Sequence, residues 1–251
     1  MSGHSKWANI KHQKEASDAK RGQMFTKFTR EIIVAVRQGG GDPDSNYRLR
    51  LAIQKARDNN MPLDNIERAV KKGSGGTEGA TLAEMVLEGY GPSGAAVLVQ
   101  ALSDNRNRTI QDVRNIFSRH GGSLGENGCV AWLFESKGLI TLETDNLDTD
   151  ELTLKAIDAG AEDVKAEKGY VEIYTKPEQL EIVRAALEQA EIPVSSAELS
   201  MVPKTTLALD EKASLQALKL LHKLEELDEV QHVSSNVDFS DAILEKFAAP
   251  V

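Results

Sequence analysis

Cysteine and long apolar runs are the scarcest features of this 251-residue chain, which has one cysteine, Cys129, and five scattered histidines. A single cysteine cannot form an internal disulfide, and no Cys and His group has the spacing of a zinc site. No apolar run approaches the roughly 20 residues that a membrane-spanning helix needs, and residues 1–7 lack the apolar core of a secretory signal. We therefore expect no structural metal, no membrane partner and a cytoplasmic location.

Patterns typical of catalysis are also missing from the sequence. Neither a nucleophile with a base nor a pair of carboxylates stands out, and Cys129 adjoins a predicted core strand, where thiols are usually inert. Residues 89–95 match the glycine pattern of dinucleotide sites, but a strand is predicted after them where such sites need a helix, so we interpret them as a hairpin turn. We expect no catalytic residue, no cofactor and no small-molecule substrate, and hence no enzyme.

Charge is segregated along the chain. Residues 1–76 carry 15 Lys and Arg against 8 Asp and Glu, whereas residues 77–251 carry 15 against 31. The net charge is therefore +7 in the first part and −16 in the second, within a total of −9. A basic part in an acidic protein predicts a polyanionic partner, for which nucleic acid is the leading candidate.

The basic part is predicted to be an arm followed by three helices. Residues 1–16 have too little apolar periodicity for a packed element, and we interpret them as a mobile arm. Apolar residues at helical spacing then predict helices over 17–37, from 42–44 onward, and from Pro62 to Gly73. The nucleic-acid-binding candidates here are the cationic residues of the arm and the first two helices: Lys6, Lys11, Lys14, Lys20, Arg21, Lys27, Arg30, Arg48, Arg50, Lys55 and Arg57.

Two further candidates, Arg106 and Arg108, come after the basic part. They are among only five arginines beyond residue 76, and with Asn107 they fall in a predicted loop ahead of a helix. Asn and Arg side chains and the backbone amides of such a loop suit phosphate oxygens. The alternative is a solvated loop whose arginines pair with Asp104 and Asp112, and the sequence leaves both open.

The acidic part follows a glycine-rich linker, residues 73–79, and alternates between strand and helix patterns. A hairpin is predicted over 82–90 and 95–102, then a helix over 109–120 and a strand over 130–134. The next elements have the β-α-β-β-α-β order of ferredoxin-like modules, in strands 139–143, 163–166, 170–175 and 194–201 and helices 150–159 and 177–190. A helix over 210–227 and a strand over 230–237 complete the chain.

These elements predict an α+β fold with an N-terminal three-helix domain followed by two ferredoxin-like α/β modules. The last helix and strand supply what residues 82–134 lack, so we infer that the second module is inserted within the first. The predicted domains are 1–76, 77–134 plus 204–251, and the inserted 135–203.

Several strings resemble the YebC/PmpR family: GHSKWANIKH at 3–12, DAKRG at 18–22, FTK at 25–27, NMPLDNI at 60–66, EGYGP at 88–92 and DNRNRT at 104–109. The likeness covers nearly the whole chain and is densest before residue 135. It implies a helical domain followed by two α/β modules, and a cytoplasmic DNA-binding transcriptional regulator. It also implies a competing role, because related proteins, including a mitochondrial translational activator, act at the ribosome, in bacteria notably at proline-rich stalls.

The predicted mode of binding follows from what the basic part contains. It has no zinc finger, no zipper heptad and no aromatic ribonucleoprotein signature, so we expect recognition of backbone and shape rather than of bases. The predicted function is that of a DNA-binding transcriptional regulator. The alternative is a ribosome-associated translation factor whose partner is ribosomal RNA, and the family supplies no catalytic site to either.

Overall fold

The computed structural model describes residues 18–75, 82–143, 149–167 and 169–248, with the side chains of 18–20, 167 and 248 outside the description. Within these ranges the helices are α1 (Asp18–Gly39), α2 (Tyr47–Asp58), α3 (Leu63–Ser74), α4 (Arg106–Arg119), α5 (Thr149–Asp158), α6 (Leu180–Gln189), α7 (Glu211–Glu225) and α8 (Asp241–Ala248). The strands are β1 (Ala83–Tyr90), β2 (Ala96–Ser103), β3 (Ser123–Leu124), β4 (Phe134–Glu143), β5 (Asp163–Glu167), β6 (Tyr170–Thr175), β7 (Ser196–Pro203), β8 (Leu207–Ala208), β9 (Val230–Ser235) and β10 (Val237–Asp238). None of the helices in the described ranges is long and apolar enough to cross a membrane.

The three N-terminal helices pack around one apolar core, as the helical spacing of their residues predicts. Ile32 of α1, Leu49 of α2 and Ile66 of α3 are buried at its centre. Leu63, the first residue of α3, has the apolar character of this stripe but is 54% exposed. Gly73 was expected to close α3; the helix instead continues to Ser74.

Helix α2 begins later than the sequence predicts, because residues 42–44 form a turn instead of the first turn of the helix. Asp42 accepts a hydrogen bond from the backbone of Asp44 and forms a tight turn, and α2 starts only at Tyr47. The cap is Asn46, whose side chain accepts from the backbone N–H of Leu49 at 3.1 Å and donates to the backbone oxygen of Ala35 at 2.8 Å. A buried amide that satisfies both ends in this way fixes the start of α2 on α1.

The first sheet has the strand order β3-β1-β2-β9, and its neighbours are all antiparallel. The predicted hairpin is confirmed, with Ala83 opposite Ser103 and Tyr90 opposite Ala96. Helices α4 and α7 cover one face, where Phe117 and Leu218 are buried against the sheet. The two helices and four strands therefore enclose one core.

The predicted strand over 130–134 is wrong for most of its length. Residues Ala131–Leu133 form a short 3-10 helix, and the strand β4 begins only at Phe134. The reason is the buried carboxylate of Glu88, which accepts hydrogen bonds from the backbone N–H groups of Gly128, Val130 and Ala131 at 2.6, 2.8 and 2.7 Å. These amides are therefore not available to a neighbouring strand.

The second sheet has the antiparallel order β5-β6-β4-β7. Numbered within the module, this is the order 2-3-1-4 of the β-α-β-β-α-β arrangement, so the ferredoxin-like prediction is confirmed. Helices α5 and α6 cover one face, with Leu152 and Leu180 buried against Ile140 and Ile173.

The chain then returns to the first sheet. The strand β9 pairs with β2, and the short strands β8 and β10 pair in parallel beside it. The residues of the second sheet are therefore inserted in the chain between strands of the first sheet. The fold is an α+β arrangement of a helical region and two sheet modules. The exact domain boundaries at 76, 134 and 203 stay a prediction.

Candidate nucleic-acid interface

The structure places only part of the predicted basic set. Lys6, Lys11 and Lys14 lie outside the described residues, and Lys20 lies in α1 with its side chain outside the description. Arg21, near the start of α1, is exposed. Of the remaining predicted cations, some contact the sheet modules, Arg50 binds the turn before its own helix, and the others face outward.

Helix α1 contacts the first sheet module through two of its cations. Lys27 is half-buried, and its Nζ donates to the backbone oxygen of Glu225 at the end of α7, 2.5 Å away. Arg30 lies one turn further along, and its Nη2 is 3.6 Å from the carboxylate of Glu229. Side chains held in this way are less accessible to a polyanion than the sequence pattern implies.

Helix α2 contributes two ion pairs to the same boundary. Arg48 pairs with Glu84 of β1, and Lys55 Nζ is 2.8 Å from Glu198 of β7. Burial acts to lower the pKa of Lys55, but Glu198 and Glu31 outweigh it, so the pKa is raised and the ammonium stays charged. Burial likewise acts to raise the pKa of Glu84, but hydrogen bonds from Arg48 and Gln38 outweigh it and lower the pKa.

The other two cations of α2 differ in their surroundings. Arg50 donates to the backbone oxygens of Pro43 and Asp44 at 3.0 and 3.2 Å, and its guanidinium lies over the ring of Tyr47. It therefore fixes the turn before its own helix. Arg57 is exposed, and its side chain has no partner within the described ranges.

Arg106 and Arg108 lie in the first turn of α4, rather than in a loop ahead of a helix. Asn105 caps this helix by accepting from the backbone N–H of Arg108 at 3.1 Å, which is why α4 begins three residues before the predicted start. Arg106 is exposed, without a side-chain partner among the described residues. Arg108 pairs with Asp104, as the solvated alternative predicts, and with Glu229 in place of Asp112, both at 3.0 Å.

Glu229 brings the two predicted basic regions together. Its side chain is only 15% exposed, and the same oxygen, Oε1, is 3.0 Å from Arg108 and 3.6 Å from Arg30. With Asp104, these residues form a four-membered ion-pair network between the helical domain and the first sheet module. Such a network orients its members more strongly than an isolated surface pair does.

A cleft of about 380 Å³ lies beside this network, between α1, α3 and Asp104, the residue that follows β2. Its charged lining residues are Arg30, Arg37, Lys72 and Asp104. Its remaining lining residues are Phe25, Thr26, Thr29, Ile33, Met61, Asn65 and Leu82. The described part of the lining therefore has three cations against one carboxylate, which is a positive balance.

Several exposed cations of the helical domain were absent from the predicted set. They are Arg37 at the end of α1 and Arg68, Lys71 and Lys72 on α3. Lys71 and Lys72 lie in the last turn of α3, where cations interact favourably with the helix C-terminus. A count of exposed positions on α3 could have found them, because its polar face is basic toward that end.

The described residues contain no group of His, Cys, Asp and Glu that could hold a metal ion. Cys129 is partly buried, and burial, followed by the charge of Glu88, raises the pKa of its thiol. The thiol therefore stays protonated at neutral pH, which does not favour nucleophilic chemistry.

These features define a class of α+β protein in which a basic helical domain is joined by ion pairs to acidic sheet modules. Residues 5–76 match the TACO1/YebC protein N-terminal domain, and residues 82–237 match the TACO1/YebC second and third domain. The chain belongs to the TACO1/YebC family.

Similar proteins cover nearly the whole chain. A probable transcriptional regulatory protein of Dehalococcoides mccartyi is 65% identical over 247 residues, which are 98% of each chain. Another of that name, from Natranaerobius thermophilus, is 50% identical over 98% of this chain and 99% of its own. The crystal structure of a conserved hypothetical protein from Aquifex aeolicus has a TM-score of 0.83 and 48% identity, over 89% of this chain and 93% of that one.

Proposed function

We propose that the protein is a non-enzymatic regulator that binds nucleic acid through its phosphate backbone, with the helical domain as the main contact. The observation that carries this proposal is the set of exposed cations on the helical domain that form no ion pair with the described parts of the sheet modules: Arg57, Arg68, Lys71 and Lys72. Arg21 and Arg37 of the same domain are also exposed. A basic surface on one domain of an acidic protein is the electrostatic footprint of a nucleic-acid-binding protein. The relatives named probable transcriptional regulatory proteins support duplex DNA as the first candidate ligand.

The exposed cations are spread over three helices rather than along one. Arg57 lies on α2, Arg37 ends α1, and Lys72 ends α3. Base reading needs a few side chains that a single rigid element inserts into a groove. Dispersed Lys and Arg instead suit phosphates, and phosphates are common to DNA and RNA. This dispersion favours a second candidate, binding to ribosomal RNA as a translation factor, and we expect little sequence preference on DNA.

The test is binding of the full chain to a labelled duplex DNA, a scrambled duplex and a ribosomal RNA fragment, measured by fluorescence anisotropy between 50 and 200 mM salt. Each neutralised phosphate adds about 0.9 to the slope of log affinity against log salt on duplex DNA. We expect a steep slope, equal affinity for the two duplexes, and weaker binding by an Arg57→Gln, Lys72→Gln double variant. The matched control removes two cations from the sheet modules, Lys155→Gln with Lys212→Gln.

Three results would distinguish the candidates. Binding that is flat in salt, or equally reduced by the control variant, would contradict the helical domain as the contact. A duplex that competes at physiological salt when its scrambled counterpart does not would contradict backbone recognition and support a sequence-specific regulator. Preference for the RNA fragment, lost in the Arg57 and Lys72 double variant, would assign the protein to translation.

A further inference from the structure

We propose that the cleft between α1, α3 and Asp104 is a phosphate-binding site. This inference rests on the proposed function, because it assigns one phosphate of the nucleic acid to a built pocket rather than to the open surface. The same chemistry would be met by a free phosphate, so the two sources have to be separated by experiment.

The first observation concerns Arg30. Its Nη2 faces Glu229, but its Nη1 is shielded from solvent and has no hydrogen-bond partner in the part of the chain that the structure describes. A buried donor without an acceptor is costly, and more so when it carries charge. Since Arg30 lines the cleft, an anion there is the group that would satisfy the donor.

The second observation concerns the other donors of the cleft. Lys72 has no ion-pair partner among the described residues. The Oδ1 of Asn65 accepts a hydrogen bond from Arg68, which orients its amide and leaves the Nδ2 hydrogens without an acceptor in the described ranges. Arg30, Lys72 and Asn65 thus supply donors from two helices, and Arg37 adds a further positive charge.

The selectivity of the cleft follows from what else lines it. The hydroxyls of Thr26 and Thr29 already donate to backbone oxygens of α1, so the donors offered to an anion are those of Arg30, Lys72 and Asn65. Phe25, Ile33 and Met61 form an apolar wall, and charge-assisted hydrogen bonds beside apolar groups are stronger than in water. Asp104 is the only carboxylate among the described lining residues, so the cleft favours a phosphate over a cation or a neutral ligand.

Lys72 and Lys71 provide a matched pair for the first test. They are exposed neighbours at the end of the same helix, but only Lys72 lines the cleft. Both Lys→Gln variants lose the same charge, so the difference between them measures the contact made in the cleft. We expect Lys72→Gln to weaken duplex DNA binding about tenfold and to reduce the salt slope by about one phosphate, with a smaller loss for Lys71→Gln and recovery in Lys72→Arg.

The second test uses inorganic phosphate on the full chain, followed by the NMR signals of the Asn65 side-chain amide and the α3 backbone. We expect these signals to shift with phosphate in the wild-type protein and in Lys71→Gln, and to shift much less in Lys72→Gln. If duplex DNA causes the same shifts and phosphate competes with it, the nucleic-acid backbone is the source. If phosphate shifts them while duplex DNA does not, the cleft takes free phosphate.

Two outcomes separate the failure of this inference from the failure of the proposed function. Equal effects of Lys71→Gln and Lys72→Gln on DNA binding, with no response of Asn65 to phosphate, would overturn the cleft and leave general backbone binding intact. A phosphate response at Asn65 in a protein that binds neither DNA nor RNA would keep the site and overturn the proposed function.

Discussion

Replacing Glu88 with Gln tests a buried carboxylate that is held by backbone N–H groups. Glu88 is 5% exposed and accepts three backbone hydrogen bonds from the loop before β4. Burial acts to raise the pKa of its carboxyl group, but the three N–H donors together outweigh burial and lower the pKa. The group is therefore ionised at neutral pH and stabilised by backbone donors rather than by a cation.

The magnitude follows from the geometry of the three bonds. Oε2 accepts hydrogen bonds from Val130 and Ala131, and Oε1 accepts one from Gly128. The single side-chain oxygen of a glutamine can replace only one of these two acceptors. At least one N–H then faces the Nε2 donors, which costs about 1–3 kcal/mol, and the remaining bonds lose their charge assistance. After the lower desolvation cost of a neutral amide is subtracted, we expect a loss of about 2–4 kcal/mol in the free energy of unfolding.

The assay is urea unfolding, followed by circular dichroism and by the fluorescence of Trp132 in a Trp7→Phe background, which leaves Trp132 as the only tryptophan. Trp132 reports on the loop directly, since its Nε1 donates to the backbone oxygen of Cys129 at 3.1 Å. The control is Glu84→Gln on the same strand, whose ion pair is about half exposed and should cost under about 1 kcal/mol.

The pH dependence gives a second readout of the same variant. A carboxyl group whose pKa is lower in the folded than in the unfolded state stabilises above the unfolded value, about 4.3 for Glu, and loses that contribution as the pH falls through the folded value. The stability gap between the wild-type protein and Glu88→Gln should be constant from pH 6 to 8 and should close in acid. A gap no larger than that of Glu84→Gln, or one that does not vary with pH, would refute the reasoning.

Two further predictions concern packing and titration. A Cβ added at Gly73 would lie 2.6 Å from the Cβ of Val36, so Gly73→Ala should destabilise the protein by about 1–3 kcal/mol. Gly22 in the same domain has open space around it, so Gly22→Ala should stabilise the protein by about 0.5–1 kcal/mol. Thermal unfolding of both variants checks this, and equal shifts in Tm would contradict it. Burial and the nearby carboxylate of Glu172 raise the pKa of Tyr174, so its stabilising contribution is present below the usual tyrosine value near 10 and is lost at higher pH. An ultraviolet titration should show a late phase that is smaller in Tyr174→Phe, and identical titration curves at high pH for the wild-type protein and Tyr174→Phe, apart from one fewer ordinary tyrosine, would contradict it.

Much of the fold could be predicted because its signals are local. The helical spacing that places Ile32 and Leu49 on buried faces is set within single helices, and the alternation of strands and helices in the second module is complete over 139–201. The two-residue strands β3, β8 and β10 were missed because such short segments carry no periodic pattern. The helix α8 was also missed, and the strand over 130–134 was displaced by Glu88, a residue 40 positions or more before the amides that it binds.

The candidate site was harder to predict, because charge pattern does not show which cations are already paired. Lys55 and Glu198 are 143 positions apart in the sequence, and only the fold brings them together. Arg48 and Arg30 are likewise paired with residues of another module. The overall asymmetry of charge is visible in the sequence. Which basic residues are paired and which face outward depends on partners that only the fold brings close.

The sharing of Glu229 by two arginines makes the network redundant. A carboxylate that is only 15% exposed would be costly to leave without a cation. If Arg30 were replaced, Arg108 would still lie 3.0 Å from Glu229, and if Arg108 were replaced, Arg30 would still lie 3.6 Å from it. The loss of one guanidinium therefore leaves the carboxylate with a cationic partner, so we expect single substitutions of Arg30 or Arg108 to destabilise the junction between the two modules less than the double substitution.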